Sequence, residues 1–136
     1  MEIERAREFV RDHHRAVLTT FFPDGRPQLS PVTVGLDAEG HVVISTRETA
    51  IKTRNLATDT RVLLCVLTEA FFGPWVVIEG RAEVVHLPEA MPHLVDYYRN
   101  IRGEHPDWDE YRAAMERDRR VIVRIAITRA GPDHHG

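Results

Sequence analysis

Near the start of the chain, apolar Ile3, Ala6, Phe9 and Val10 recur at helical spacing between charged positions, which predicts a short amphipathic helix over 3–13. The period then drops to two. AVLTTFF (16–22) is rich in β-branched and aromatic residues, PDGRP supplies turn chemistry, and QLSPVTVGL (28–36) resumes the alternation, so the pair predicts a hairpin. DAEG (37–40) is a second turn and HVVIST (41–46) a third strand of the same meander. RETAIKTRNLA (47–57) loses the strand pattern and gains helix formers, which predicts a short helix ahead of the strand RVLLCVL (61–67). After the loop TEAFFGP comes the longest expected strand, WVVIEGRAEVVH (75–86), with a bend at Gly80. LPEAMPHLVDYYRNIRG predicts a helix with Pro88 at its start and Gly103 beyond its end. PDWDEYRAAMERD predicts another, with Asp107 and Glu110 spaced as a capping box. RRVIVRIAIT (119–128) closes the series as a strand with Val121, Val123, Ile125 and Ile127 on one face.

Six strands without regular βαβ alternation disfavour a parallel doubly wound sheet. They favour a mainly β fold, an antiparallel sheet or barrel with helices against its outside or ends. No internal boundary interrupts the pattern, so residues 1–136 are expected to form a single domain, and a chain of 136 residues is long enough to hold a core.

Composition narrows the partners. A formal charge of -3, with Arg interleaved among Asp and Glu, leaves no basic stripe for nucleic acid. VLLCVL and PWVVI fall far short of the roughly 20 apolar residues of a membrane-spanning helix, and MEIERAREFVRDHH lacks the apolar segment of a signal peptide. No membrane association is expected, and the cytoplasm is the expected address. Cys65, inside VLLCVL, reads as a small buried hydrophobe.

The usual catalytic motifs are missing. There is no G-x-G-x-x-G or P-loop, and neither serine, Ser30 or Ser45, lies in a nucleophile elbow. The histidines are adjacent pairs or scattered singles, so no metal site is expected. EHPDWDE, which could supply paired carboxylates, is explained as helix capping.

One stretch is left, TAIKTRNL (49–56). Its Lys52 is the only lysine beside seventeen arginines. Thr46, Arg47, Thr49, Lys52 and Arg54 fall around a strand end and a helix start, where free N–H groups and the helix dipole favour phosphate or carboxylate. The alternative is that Lys52 and Arg54 are a solvated helix face. Two residues apart on a helix, they point to nearly opposite sides, so Lys52 alone is the more economical anion ligand.

In order, AVLTTFFPDGRPQLSPV, VVISTRETAIKTRNLATDTRV, VVIEGRAEV and YRNIRGEHPDWDEYRAAMERDRRVIVRI resemble the pyridoxamine 5'-phosphate oxidase-like split-barrel proteins, and among these the deazaflavin-dependent branch. The resemblance covers residues 5–128. It implies a six-stranded antiparallel split β-barrel acting as a homodimer, with an elongated cofactor site at the subunit interface. The implied cofactor is the 8-hydroxy-5-deazaflavin coenzyme F-420, or FMN in sister branches. Lys52 is implied to meet the cofactor phosphate, with Arg54 nearby. Gln28, Ser30, Pro31 and Val32 are implied to line the tricyclic ring, and Ser45, Thr46 and Arg47 to surround the ribityl chain and phosphate. For Gln28 and Ser30 the competing reading is outward alternation on a strand. Phe71, Phe72 and Trp75 read either as a dimer contact or as a ring wall. The chain departs from the family pattern at Ala50, where relatives often carry a basic residue; the phosphate is then held less tightly, or Arg47 substitutes.

The function so implied is a deazaflavin-dependent reductase that moves a hydride to a small or medium-sized organic substrate. An FMN-dependent oxidase or reductase and a non-catalytic deazaflavin carrier are the alternatives. A cofactor that carries the chemistry accounts for the missing catalytic motifs, and no side chain stands out as proton donor.

Overall fold

Period-two patterning becomes inside and outside of one curled sheet. A computed structural model describes residues 1–135; Gly136, the last residue of the expected domain, lies outside them. The strands are β1 (Arg15–Phe21), β2 (Pro27–Thr33), β3 (Gly35–Leu36), β4 (Val42–Arg47), β5 (Arg61–Leu67), β6 (Trp75–Val85) and β7 (Arg120–Asp133). The helices are α1 (Ile3–Asp12), α2 (Ile51–Leu56), α3 (Ala90–Arg102) and α4 (Trp108–Arg117). All pairings are antiparallel, in the order β2-β1-β5-β6-β7-β4-β3.

That order leaves the barrel open along one side. β2 and β3 lie at opposite edges of the sheet, yet only Val34 separates them in the chain. Residues 28–36, expected as one strand, pair with β1 through their first part and with β4 through their last. Val34 is fully buried at the exchange, and its N–H donates to the His14 carbonyl at 2.7 Å. This gives seven strands where six were expected. The alternation runs unbroken through Val34, so only the choice of partner, a long-range property, reveals the break.

Leu18, Ile44, Leu64, Ile78 and Ile125 fill the interior. α1 packs on β3, β6 and β7 through Ala6 and Val10, and α2 packs on β1 and β6 through Leu56. A second cluster lies outside the barrel, where Ala90, Leu94, Val95 and Tyr111 of α3 and α4 cover Val43 and Ile122 of β4 and β7. The split between β2 and this helical layer forms the site.

Several boundaries differ from expectation. α2 is confined to Ile51–Leu56, because Arg47 still belongs to β4 and Glu48–Ala50 make the turn between them. α3 starts at Ala90, two residues after Pro88. β7 runs on to Asp133; past Ile125 it no longer pairs with β4, so Pro132 costs no bond on that side. Asp107 caps α4 as expected, accepting from the Glu110 N–H at 3.1 Å. The return arm of the capping box is replaced, since the Asp107 N–H donates to His105 Nδ1 at 2.9 Å. Among the described residues no helix is long and apolar enough to cross a membrane.

Candidate functional site

A six-residue helix is too short to hold its own shape in water. α2 is fixed by side chains on its inner face. Thr53 Oγ1 donates to the Arg47 carbonyl at 2.7 Å, Asn55 Nδ2 donates to Thr20 Oγ1 at 3.1 Å, and Leu56 enters the core. Thr20, Thr53 and Asn55 are all buried, which explains the polar residues of KTRNL as anchors. With that face pinned, Lys52 and Arg54 point to different sides. Lys52 Nζ donates to Ser30 Oγ of β2 at 3.4 Å. Arg54 instead borders a separate cavity with Glu48, Glu83 and His86.

Lys52 opens onto a groove of about 760 Å³ between β1, β2, the end of β4 and the α3–α4 layer. Pro31, Val32, Ser45 and Thr46, expected at the site, line it. Ser30 joins through its bond to Lys52. Gln28 lies one alternation further along β2 and accepts from Thr20 Oγ1 at 3.4 Å. Gln28 and Ser30 share the strand face of Thr20 and Leu18, their register partners, so the outward reading does not describe them; the outward positions are Pro27, Leu29, Pro31 and Thr33. Arg47 is exposed at the end of β4 and does not line the groove. Trp75 borders another cavity, beside Phe9 and His13 of the α1 end.

The groove is cationic although the chain is acidic. Arg15, Lys52, Arg102 and Arg120 line it, and no carboxylate does. Burial lowers the Lys52 pKa, and the Arg120 charge lowers it further. Arg120 Nε is buried with no hydrogen-bond partner; Asp118 Oδ2 lies 3.5 Å away, within ion-pair distance but outside hydrogen-bond geometry. Tyr97 donates its hydroxyl to the Thr33 carbonyl at 2.8 Å; burial raises its pKa, while Arg102 and Arg120 oppose the rise. Sequence reading missed Arg120, Tyr97, Arg15 and Arg102. They come from three separate elements, β1, α3 and β7, and the one local trace, the charge run RDRR (117–120), straddles the end of α4 and the start of β7 without singling out any of its arginines.

Tyr111, at the back of the groove, donates to the Leu94 carbonyl at 2.8 Å. Its phenol is pushed up from 10.0 to about 12, first by burial and then by the neighbouring Tyr97. A folded pKa above the unfolded one means that the neutral phenol's contribution is complete below pH 10 and is lost as pH climbs towards about 12. In an alkaline titration followed by phenolate absorbance, the Tyr111 phenolate is expected to form only as pH approaches about 12. Tyr111→Phe is expected to flatten the alkaline fall in stability, and a Tyr111 midpoint near the ordinary value would refute this.

A pocket of this volume is ample for a cofactor. Clustered cations with no carboxylate among the lining residues, one of them with a buried N–H lacking a hydrogen-bond partner, fit a ligand carrying a phosphoryl group. Among the described residues no group of three or more His, Cys, Asp or Glu is placed to hold a metal ion.

Comparison with known proteins places this geometry. Residues 3–131 match the family model described as pyridoxamine 5'-phosphate oxidase. Among solved structures, the conserved hypothetical protein Rv2991 from Mycobacterium tuberculosis superposes with a TM-score of 0.76 at 27% identity, covering 96% of this chain and 82% of that one. An F-420 reductase superposes with a TM-score of 0.68 at 20% identity, covering 91% and 94%. A heme binding protein from Mycobacterium smegmatis gives 0.70 at 21% identity, covering 94% of this chain and 52% of its own.

Proposed function

The chain belongs to the pyridoxamine 5'-phosphate oxidase family, and from that premise we propose that it is a deazaflavin-dependent oxidoreductase which passes a hydride from coenzyme F-420 to a small or medium-sized organic substrate. The observation that carries this reading is the groove holding Lys52 and Arg120 side by side without a carboxylate. Two neighbouring cations, of which only Arg120 has a carboxylate within ion-pair distance among the described residues, repel one another, and a phosphate-bearing cofactor offsets that repulsion. The choice of deazaflavin over FMN is supported by the sequence motifs and by the F-420 reductase among the structural neighbours.

Bound there, the cofactor supplies the redox chemistry, and the chain binds, orients and desolvates. Lys52, steadied by Ser30, meets the phosphate. Ser45 and Thr46, which line the groove, would offer hydroxyls to the cofactor. Pro31 and Val32 give the ring an apolar edge. The Tyr97 hydroxyl, inside the groove, is the side chain best placed to hold a proton near a bound substrate.

A homodimer accords with the outer sheet face. Pro31, Val17, Cys65 and Val77 stand in one register row across β2, β1, β5 and β6. Leu29 beside that row, and Phe71 and Phe72 in the β5–β6 loop, are exposed. An apolar face of this kind suits burial against a second copy better than contact with water. Arg15 and Leu67 line the groove and lie on the same outer face, so the dimer seam would run beside the cofactor.

The second reading, an FMN enzyme, is favoured by the family description itself. One experiment separates the two. Titration with coenzyme F-420 and with FMN, read by fluorescence quenching, is expected to show tighter binding of the deazaflavin. The reduced deazaflavin is then expected to be oxidised in the presence of at least one of a panel of quinones, enones and nitroaromatics. Preferential FMN binding would replace the first reading by the second, and tight deazaflavin binding with no oxidation by any compound would leave a carrier.

A further inference from the structure

We infer that Arg120 is the second cation of the anion site, holding the same phosphoryl group as Lys52 and presenting its guanidinium to the phosphoryl oxygens. The inference deepens the cofactor reading above and rests on it for the identity of the ligand, but its geometry stands alone.

Arg120 is the first residue of β7 and pairs in register with Arg47 at the last rung of the β4–β7 ladder. Directly opposed residues share a sheet face, here the face that carries α3 and α4. The two arginines nevertheless differ in setting. Arg47 is exposed and stands outside the groove, whereas Arg120 lines the groove with its side chain only 28% exposed. Arg120 Nε is the one buried side-chain nitrogen or oxygen among the described residues with no hydrogen-bond partner. Asp118 is near enough to offset some charge but not aligned to accept the proton. A buried guanidinium N–H with only an unaligned carboxylate beside it is costly, and the exposed part of the same side chain lines the groove, where an acceptor brought by a ligand can meet it.

The surroundings say which acceptor. Lys52 reaches the same groove from α2, and Ser30, Tyr97 and Tyr111 face it from β2, α3 and α4. Ala50, two residues before Lys52, brings no charge. The other groove cations are differently engaged: Arg15 is ion-paired to Glu69 at 2.8 Å, and Arg102 is exposed on the last turn of α3. The charge of Arg120 lowers the pKa of Lys52, Tyr97 and Tyr111, which puts it close to all three. A planar fork and a swivelling ammonium, with hydroxyls around them, match the several oxygens of a phosphate dianion better than a single carboxylate.

The chain's single lysine makes the test direct, because selective 13Cε labelling of lysine yields one resonance, that of Lys52. The probe is inorganic phosphate. In the unaltered protein, phosphate is expected to raise the Lys52 titration midpoint saturably. Arg120→Gln is expected to weaken that phosphate binding about tenfold, and Arg120→Lys to recover part of the loss. Without phosphate, Arg120→Gln is expected to raise the Lys52 midpoint by removing the neighbouring charge. Phosphate affinity unchanged within about twofold in Arg120→Gln, or a Lys52 resonance in the unaltered protein that phosphate does not move, overturns the inference. Should Arg120→Gln fail to fold, Arg120→Lys decides alone: affinity equal to the unaltered protein's removes the role of the fork, and a several-fold loss supports it. Phosphate held through both residues by a protein that binds neither F-420 nor FMN would sink the cofactor reading and keep Arg120. Cofactor binding indifferent to Arg120→Gln would do the reverse.

Discussion

Replacing Gly80 with alanine is expected to lower the free energy of unfolding by about 3 kcal/mol, read as a shifted midpoint in denaturant with an unchanged slope. Gly80 lies on the inward face of β6 between Ile78 and Ala82, paired with Val62 on one side and Ile127 on the other. A Cβ there would stand 2.5 Å from Ile125 Cγ2 and 2.6 Å from the Ala126 carbonyl oxygen. The methyl group of Ile125 can turn aside; the carbonyl belongs to the β7 backbone and moves only if the ladder moves. Loss of glycine's freedom in the unfolded chain works the other way, by about 0.4–1 kcal/mol, and the clash exceeds it. A measured cost below about 1 kcal/mol would mean that the bulge beside Gly80, where the β6–β7 register shifts, absorbs the methyl group. Because β6 and β7 carry the core on one side and Arg120 at one end, the same change tests how firmly the barrel holds the groove.

Gly80 also shows what a sequence discloses. A glycine inside an otherwise unbroken strand pattern is a local signal, and it marked the bend that the register shift confirms. Spacing was equally informative in KTRNL: residues two apart on a helix diverge, and Lys52 and Arg54 face different cavities. The exchange at Val34 was not legible, because both halves of residues 28–36 keep the same alternation and only their partners differ. Arg120 was illegible for a related reason. In RDRR it is one of three arginines in four residues, and nothing in the run distinguishes the one whose Nε becomes buried beside Lys52. Polar residues at buried positions mislead in the opposite direction. Thr53 and Asn55 look like part of a binding motif, but their hydrogen bonds are internal and fix the short helix against β1 and β4. The motif combines Lys52, which we propose as the ligand residue, with the anchors that aim it.

Lys52→Met is expected to separate binding from stability. Methionine keeps most of the length and apolar stem of lysine and removes the charge. Losing one charge-assisted contact to a phosphate is expected to weaken binding of the phosphate-bearing cofactor about 30- to 100-fold, or about 2–2.8 kcal/mol. Folding moves in the other direction. Burial and Arg120 lower the Lys52 pKa, so at neutral pH the ammonium is less favourable in the folded chain than in the unfolded one. Since the folded pKa is the lower, this penalty is present while the side chain is protonated and fades as pH rises through that pKa. The variant is therefore expected to melt no lower than the parent, and slightly higher at neutral pH, with the difference shrinking in alkali. A structural lysine would give the opposite pair of results, unchanged affinity and a lower melting point. Calorimetry and fluorescence titration on the same preparation distinguish the two, because a residue retained for its ligand shows lost affinity without lost stability.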